Sequence, residues 1–256
     1  FKLLRANFKA LVLPLLCFAF PFEVLSAYAE RNLSTHIGGP NTVTTFNQLL
    51  AEFHFSVSDL ALLLGAILAL AVATPVVAGI VCRTVAASYS GEQLTAGEAA
   101  RAGAARFAPL LVASLMVHFL EWVGLLLCIL PGIALMAMFV MTTPAIVLER
   151  LGPVKGMRRS WKLASRRFWP VLGTALLAGI LAYIVALVIG LVPEEVIGAL
   201  ASPHIRAAAD AIVNTVTETF NWSFVATLAT LLYFDQRIRQ EGLDLEVMAA
   251  SLRSAR

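Results

Sequence analysis

This sequence predicts an all-α integral membrane fold: six transmembrane helices arranged as three consecutive helical hairpins, each preceded by a cytoplasmic interfacial helix, with both termini inside. Three observations carry that expectation. First, the 256 residues are 59% hydrophobic and only 14% charged, with a mean hydropathy of +0.83. A soluble domain has about 45–50% apolar and about 25% charged residues, and a globule of this size leaves too much surface wet to hide the excess. The same arithmetic excludes a disordered chain, a secreted disulfide scaffold and a free DNA-binding domain. Second, six stretches approach the roughly 20 apolar residues that cross a bilayer. Third, Lys and Arg fall almost wholly on one side of those stretches.

Taken in order, the stretches are 8–28, 57–81, 107–130, 133–148, 169–192 and 207–234. The first follows Lys2, Arg5 and Lys9, and Ala27-Tyr28-Ala29 resembles a signal-peptidase site. A cleaved signal peptide is the rival reading there, and a retained helix is the one taken. Pro131-Gly132 reads as a tight turn between the third and fourth spans. The fourth span is short and the sixth is polar for its class. With the N-terminus inside, 17 of the 19 Lys and Arg residues lie on the cytoplasmic side, and only Arg31 and Arg206 lie outside. That asymmetry sets the orientation. The chain is then one membrane domain over residues 1–256, with hairpin units 1–83, 84–150 and 151–237 and a cytoplasmic tail at 238–256.

The odd spans enter through a basic stretch followed by Phe, as in Arg106-Phe107-Ala108-Pro109 and Arg167-Phe168-Trp169-Pro170. The even spans exit onto Arg83, Arg150 and Arg237, and the second and fourth share Thr-Pro (Thr74-Pro75, Thr143-Pro144). These matching offsets predict a repeated two-helix unit. Thr95 and Glu98 have capping-box spacing and should start the second entry helix. The third entry helix places Val154, Met157, Trp161, Ala164 and Phe168 on one face, with Lys155, Arg158, Arg159, Lys162 and Arg166 beside them. Such a helix lies in the headgroup plane, where each cation near anionic lipid contributes about 1 kcal/mol. Outside the membrane, residues 30–56 read as a polar loop with a short apolar helix lying on the outer surface.

Ionisable groups at membrane depth are costly and point to function. The sixth span carries Asp210, Asn214, Glu218 and Asn221, the third carries Ser114, His118 and Glu121 on one face, and the first carries Glu23. At 1.5 Å per residue, Glu23, Glu121 and Glu218 all lie about 21–24 Å from the cytoplasmic face, which predicts a shared pocket in the outer half of the bilayer. Three readings of that pocket stand open: a structural cluster, a site for a cation, proton or lipid headgroup, and a divalent metal site. One histidine at this depth and no HExxH argue for no metal. Cys17, Cys82 and Cys128 form no pair and read as small hydrophobes. No phosphate-binding, dinucleotide or nucleophile-elbow motif is present, and no cofactor is expected.

The run Thr143-Pro144-Ala145-Ile146-Val147-Leu148-Glu149, with Gly152-Pro153, Arg158-Arg159-Ser160-Trp161 and Arg167-Phe168-Trp169, leads to the tail Leu232-Tyr233-Phe234-Asp235 with Arg237-Ile238-Arg239 and Glu241-Gly242-Leu243-Asp244. Together these resemble the bacterial, mainly actinobacterial, glycerophosphoryl diester phosphodiesterase membrane domain family, most densely over residues 131–246. The resemblance implies a six-pass protein without established activity. The phosphodiesterase barrel found in some members has no counterpart here, so none of its catalytic residues carries over. The expectation is therefore a non-enzymatic protein of the bacterial plasma membrane, a scaffold or subunit of a cell-envelope complex. It would meet anionic headgroups at the cytoplasmic face and a protein partner in the membrane, but no nucleic acid. The alternative is a carrier, or a lipid- or ion-binding protein, using the outer-leaflet pocket.

Overall fold

The computed structural model describes residues 57–92, 94–200 and 203–242. The described residues form helices and turns and no strand. In chain order the helices are α1 (Val57–Tyr89), α2 (Ala96–Ala104), α3 (Phe107–Leu127), α4 (Ile129–Phe139), α5 (Thr142–Leu148), α6 (Pro153–Arg166), α7 (Phe168–Leu200) and α8 (Pro203–Glu241). Among the described residues four segments are long and apolar enough to cross a membrane: Val72–Tyr89, Phe107–Leu127, Ile129–Leu148 and Phe168–Ile189. Helix α8, the expected sixth span, is 39 residues long but is not one of those four. The expected first span and outer loop lie outside the described residues.

Six prolines mark where helices begin, while Pro75 and Pro193 lie inside α1 and α7. Pro109, Pro131, Pro144 and Pro170 each occupy the third position of α3, α4, α5 and α7, and Pro153 and Pro203 open α6 and α8. The first four N–H groups of a helix have no internal acceptor, so a missing N–H there costs no helical bond. Two sequence expectations change accordingly. The turn between the third and fourth spans lies at Cys128, which is extended (φ −173°, ψ 152°), and not at Pro131-Gly132, which is already helical. Gly132 serves the crossing of α3 and α4 instead: a Cβ there would sit 2.9 Å from the Leu125 backbone nitrogen. The fourth span is also broken. It divides at Val140–Met141, and the Ser160 hydroxyl closes the break by donating to the Met138 carbonyl (2.7 Å) and accepting from the Met141 N–H (3.2 Å).

Helix α1 is the central element. Two-thirds of its apolar segment is buried, against 6% for α7, whose Leu177, Ile180, Tyr183 and Val188 are bare. Val77, Val81 and Val85 form an i, i+4, i+8 ridge against Trp222, Ala226 and Leu231 of α8, a standard helix-packing row. Helix α8 tolerates its polar content because its hydroxyls bond back to its own turns. Thr217, Ser223, Thr227 and Thr230 donate to the carbonyls four residues earlier at 2.6–2.9 Å. Such bonding satisfies the hydroxyl without a partner helix. Helix α2 starts as expected: Thr95 and Glu98 complete a capping box, with the Thr95 N–H donating to the Glu98 carboxylate at 2.9 Å.

The arginine-rich end holds the largest core cluster, in which Met141, Ala145, Leu163, Ala164, Val171, Leu232 and Tyr233 join α4–α8. Helix α6 lies across the break between α4 and α5. Its buried face is Gly156, Met157, Ser160, Leu163 and Ala164, turned by roughly 80° from the expected stripe. Val154 and Trp161 of that stripe are 53% and 44% exposed. The reason lies in tertiary contact: Ser160 must reach the broken backbone, and Gly156 lets α6 settle onto Ile146.

Candidate functional site

Helices α1, α3, α4, α5 and α8 surround a cavity of about 370 Å³. Helix α1 contributes Thr74 and Pro75, and α3 contributes Ser114, His118 and Glu121, which share one face at i, i+4, i+7. The broken α4–α5 segment contributes Val140 and Thr142 to Pro144, and α8 contributes Trp222. Both Thr-Pro pairs of the sequence repeat therefore meet at one place. The break explains why space exists here: interrupting a helix spreads its neighbours and leaves polar groups facing inward.

The walls are mainly apolar, with two polar features. His118 donates from Nδ1 to the Glu121 carboxylate at 2.9 Å, and the pair spans the boundary between outside and inside, being 59% and 14% exposed respectively. Thr142 lines the cavity only 5% exposed, and among the described residues its hydroxyl has no hydrogen-bond partner. A buried hydroxyl without a partner costs about 1–3 kcal/mol, and Thr219 of α8, away from the cavity, is in the same state among the described residues. An apolar chamber with a few convergent polar groups is the usual form of a small-molecule site.

The other residues expected in the pocket divide into those outside the described residues and those that do not line the cavity. Glu23 and the side chain of Asp210 lie outside the described residues. Asn214, Glu218 and Asn221 sit half-buried on α8, with Glu218 hydrogen-bonded to Asn221 one turn on. None of these three lines the cavity. Among the described residues no group of three or more His, Cys, Asp and Glu could hold a metal ion. Thr142 had no signal in composition or periodicity. Its neighbour Pro144 was the available clue, since it marks the start of a new helix inside an apolar run.

The basic helix α6 divides its cations. Lys155, Arg158, Lys162 and Arg166 are exposed, with Trp161 at the edge of the same face. Arg159 is turned inward. Its Nε reaches the Glu149 carboxylate at 2.8 and 3.1 Å, and its two terminal nitrogens grip Glu241 at 2.5 and 2.6 Å. Arg237 adds a 3.0 Å contact to Glu241, and the Tyr233 hydroxyl donates to Glu149. Two guanidinium groups and two carboxylates thus neutralise one another and tie the ends of α5, α6 and α8 together. The hydrogen bonds from Arg159, with those from Arg237, hold the Glu241 carboxyl down at about 2, and Glu241 in turn raises the guanidinium of Arg159 above its usual range. Glu149 and Glu241 are the residues that sequence reasoning passed over. Their signal was an acid at the end of each of two arginine-terminated helices.

No curated protein matches the chain, and no solved structure matches it. Nothing found links it to the phosphodiesterase membrane family that its motifs resemble. The model of one family, described as a domain of unknown function (DUF7847), matches residues 16–235, and the chain belongs to that family.

Proposed function

We propose that this is a non-enzymatic, multi-pass protein of a bacterial plasma membrane that binds a lipid-class amphiphile in the cavity between α1, α3, α4–α5 and α8. The observation that carries the reading is the unpartnered Thr142 hydroxyl in an apolar chamber with the His118–Glu121 pair. A polar group on the ligand satisfies Thr142 and the pair, while its hydrocarbon fills the walls. The arginine distribution supports an orientation with both termini cytoplasmic, which places the His118–Glu121 level in the outer half of the bilayer. The six-span hairpin layout, the shared ancestry implied by the phosphodiesterase-membrane motifs and the absence of catalysis belong to the same proposal.

The test is extraction of the full chain in mild detergent, then mass spectrometry of the retained lipid. Wild type should carry one enriched amphiphile. Thr142→Val keeps the shape and removes the hydroxyl, and Glu121→Gln removes the charge. Both should release the lipid while the protein stays folded. If Thr142→Val retains it unchanged and only raises stability, as removal of an unsatisfied hydroxyl would, the cavity is structural and the reading fails. A second reading, a scaffold or subunit of an envelope complex, is supported by the exposed Lys155, Arg158, Lys162 and Arg166 beside Trp161. Under it a stoichiometric protein partner copurifies, and the acid-to-Gln variants alter stability or partner recovery alone.

A further inference from the structure

Three arginines from three separate elements converge on a second cavity, of about 560 Å³, at the arginine-rich end. Arg83 comes from the last turns of α1, Arg106 is the residue that precedes α3, and Arg150 follows α5. The remaining wall is short or apolar, including Ala102, Ala105 and Leu148, and among the described residues it contains no acid. This contrasts with Arg159 and Arg237 of the same end, which share Glu149 and Glu241. Among the described residues none of the three cavity arginines has a carboxylate partner. Three like charges facing one space repel one another, and that repulsion is relieved by an anion.

Two features of the backbone point the same way. Arg150 is the one residue other than glycine with positive φ among the described residues (φ 53°). This left-handed position just past a helix end normally takes Gly, and a side chain there costs on the order of 1 kcal/mol. Arginine stands in it nonetheless, at the edge of the cavity it lines. Arg106 stands at the start of α3, a helix end without a side-chain cap, so the helix adds its own partial positive charge at the same spot.

We infer that Arg83, Arg106 and Arg150 form a binding site for a phosphate group. A phosphate presents several acceptor oxygens in different directions, and guanidinium forks from three directions match it. This goes beyond the cavity proposed above for an amphiphile and shares no residue with it. The phosphate belongs either to an anionic lipid headgroup or to a soluble phosphate compound, since the chemistry is common to both.

The test uses the full chain in phosphatidylcholine nanodiscs, with dioleoyl phosphatidate titrated into the disc and inorganic phosphate into the buffer. Native mass spectrometry counts retained phosphatidate, and thermal unfolding reads stabilisation by either probe. Wild type should bind one of them saturably, and each Arg→Gln change should weaken that binding about tenfold. R106K keeps the charge but loses the fork, and should fall between. It also serves if the triple variant R83Q/R106Q/R150Q fails to fold. R101Q, at an exposed position on α2 outside the cavity, should match wild type. Retained phosphatidate that inorganic phosphate does not displace assigns the site to a lipid headgroup. Saturable stabilisation by inorganic phosphate alone assigns it to a soluble phosphate compound. Binding of both probes equal in wild type, R106K and the triple variant overturns the site, and so does binding of neither. Thr142→Val should leave every one of these readings unchanged, which separates failure here from failure of the amphiphile cavity.

Discussion

Replacing Arg159 with Met tests whether the charge cluster at the arginine-rich end is the latch that seats α6. The substitution keeps most of the side-chain volume and leaves Glu149 and Glu241 with Arg237 alone. Glu241 is held at about 2 instead of its ordinary 4.5, a difference of about 3 kcal/mol at full value. Its side chain is 24% exposed and Arg237 holds part of the shift, so screening and the remaining arginine bring the Arg159 share to about 2 kcal/mol. Breaking one side of a fully buried pair costs about 3–5 kcal/mol, and this cluster is only partly buried, which gives the same answer from the other direction. The assay is equilibrium unfolding in mixed micelles of the four proteins of a double-mutant cycle: wild type, Arg159→Met, Glu241→Gln and both together. Each single variant should lose about 2 kcal/mol, and the double variant should lose much less than their sum. Arg159→Lys should recover little, because a single ammonium cannot reach Glu149 and both oxygens of Glu241 at once. A coupling below about 0.5 kcal/mol in the cycle would refute the latch.

The remaining expectations are narrower. Because the Glu241 carboxyl is depressed in the folded protein, its contribution is present above about pH 4.5 and is lost as pH falls from there through about 2; unfolding followed against pH should show that acid limb in wild type and not in Glu241→Gln. Gly132→Ala should cost about 1–3 kcal/mol by overpacking against Leu125, whereas Gly173→Ala, with nothing within 4 Å of the new Cβ, should be neutral or slightly stabilising in the same unfolding assay. Thr95→Ala should remove the cap of α2, about 1 kcal/mol, seen as faster amide exchange confined to its first turn. In a Cys17→Ala background, an impermeant maleimide added outside intact cells should label Cys128, which is exposed, and spare Cys82, which is buried. Labelling that needs permeabilisation would reverse the proposed orientation.

What the sequence revealed, and what it hid, divides along the range of the interactions. The capping box at Thr95 and the helix start at Phe107 depend on neighbours within four residues, and local chemistry was enough to read them; Phe168, expected on the stripe of the third entry helix, instead opens α7. The turn at Cys128 and the break at Met141 were harder: Pro131 was read as the turn itself and Pro144 only as part of a repeat, when both stand inside first turns. The α6 face was misplaced for a different reason. Periodicity finds an apolar stripe, but Ser160 is drawn inward by two unpaired backbone groups on another segment, and that demand leaves no trace in hydropathy. The candidate pocket was half legible: His118 and Glu121 share a helix and were paired by spacing. Bringing Thr142 to them needs the break, and Asn214, Glu218 and Asn221 belong to a different part of α8.

The arginines make the same point in electrostatic terms. Counting cations by loop treats them as equivalent, and for orientation in a membrane they are. The fold then gives them three fates, according to whether an acid can reach them. Arg159 and Arg237 lie within reach of Glu149 and Glu241 and become internal struts. Arg158 and Arg166, with Lys155 and Lys162, point away from α5 and α8 and stay on the exposed face of α6. Arg83, Arg106 and Arg150 are gathered at one cavity where, among the described residues, no acid meets them. A bundle that needed positive charge only to fix its orientation would gain from spreading it, since repulsion falls with distance. Gathering three guanidinium groups, one of them on a left-handed backbone position, works against folding unless an anion joins them, and that is the physical reason to expect one.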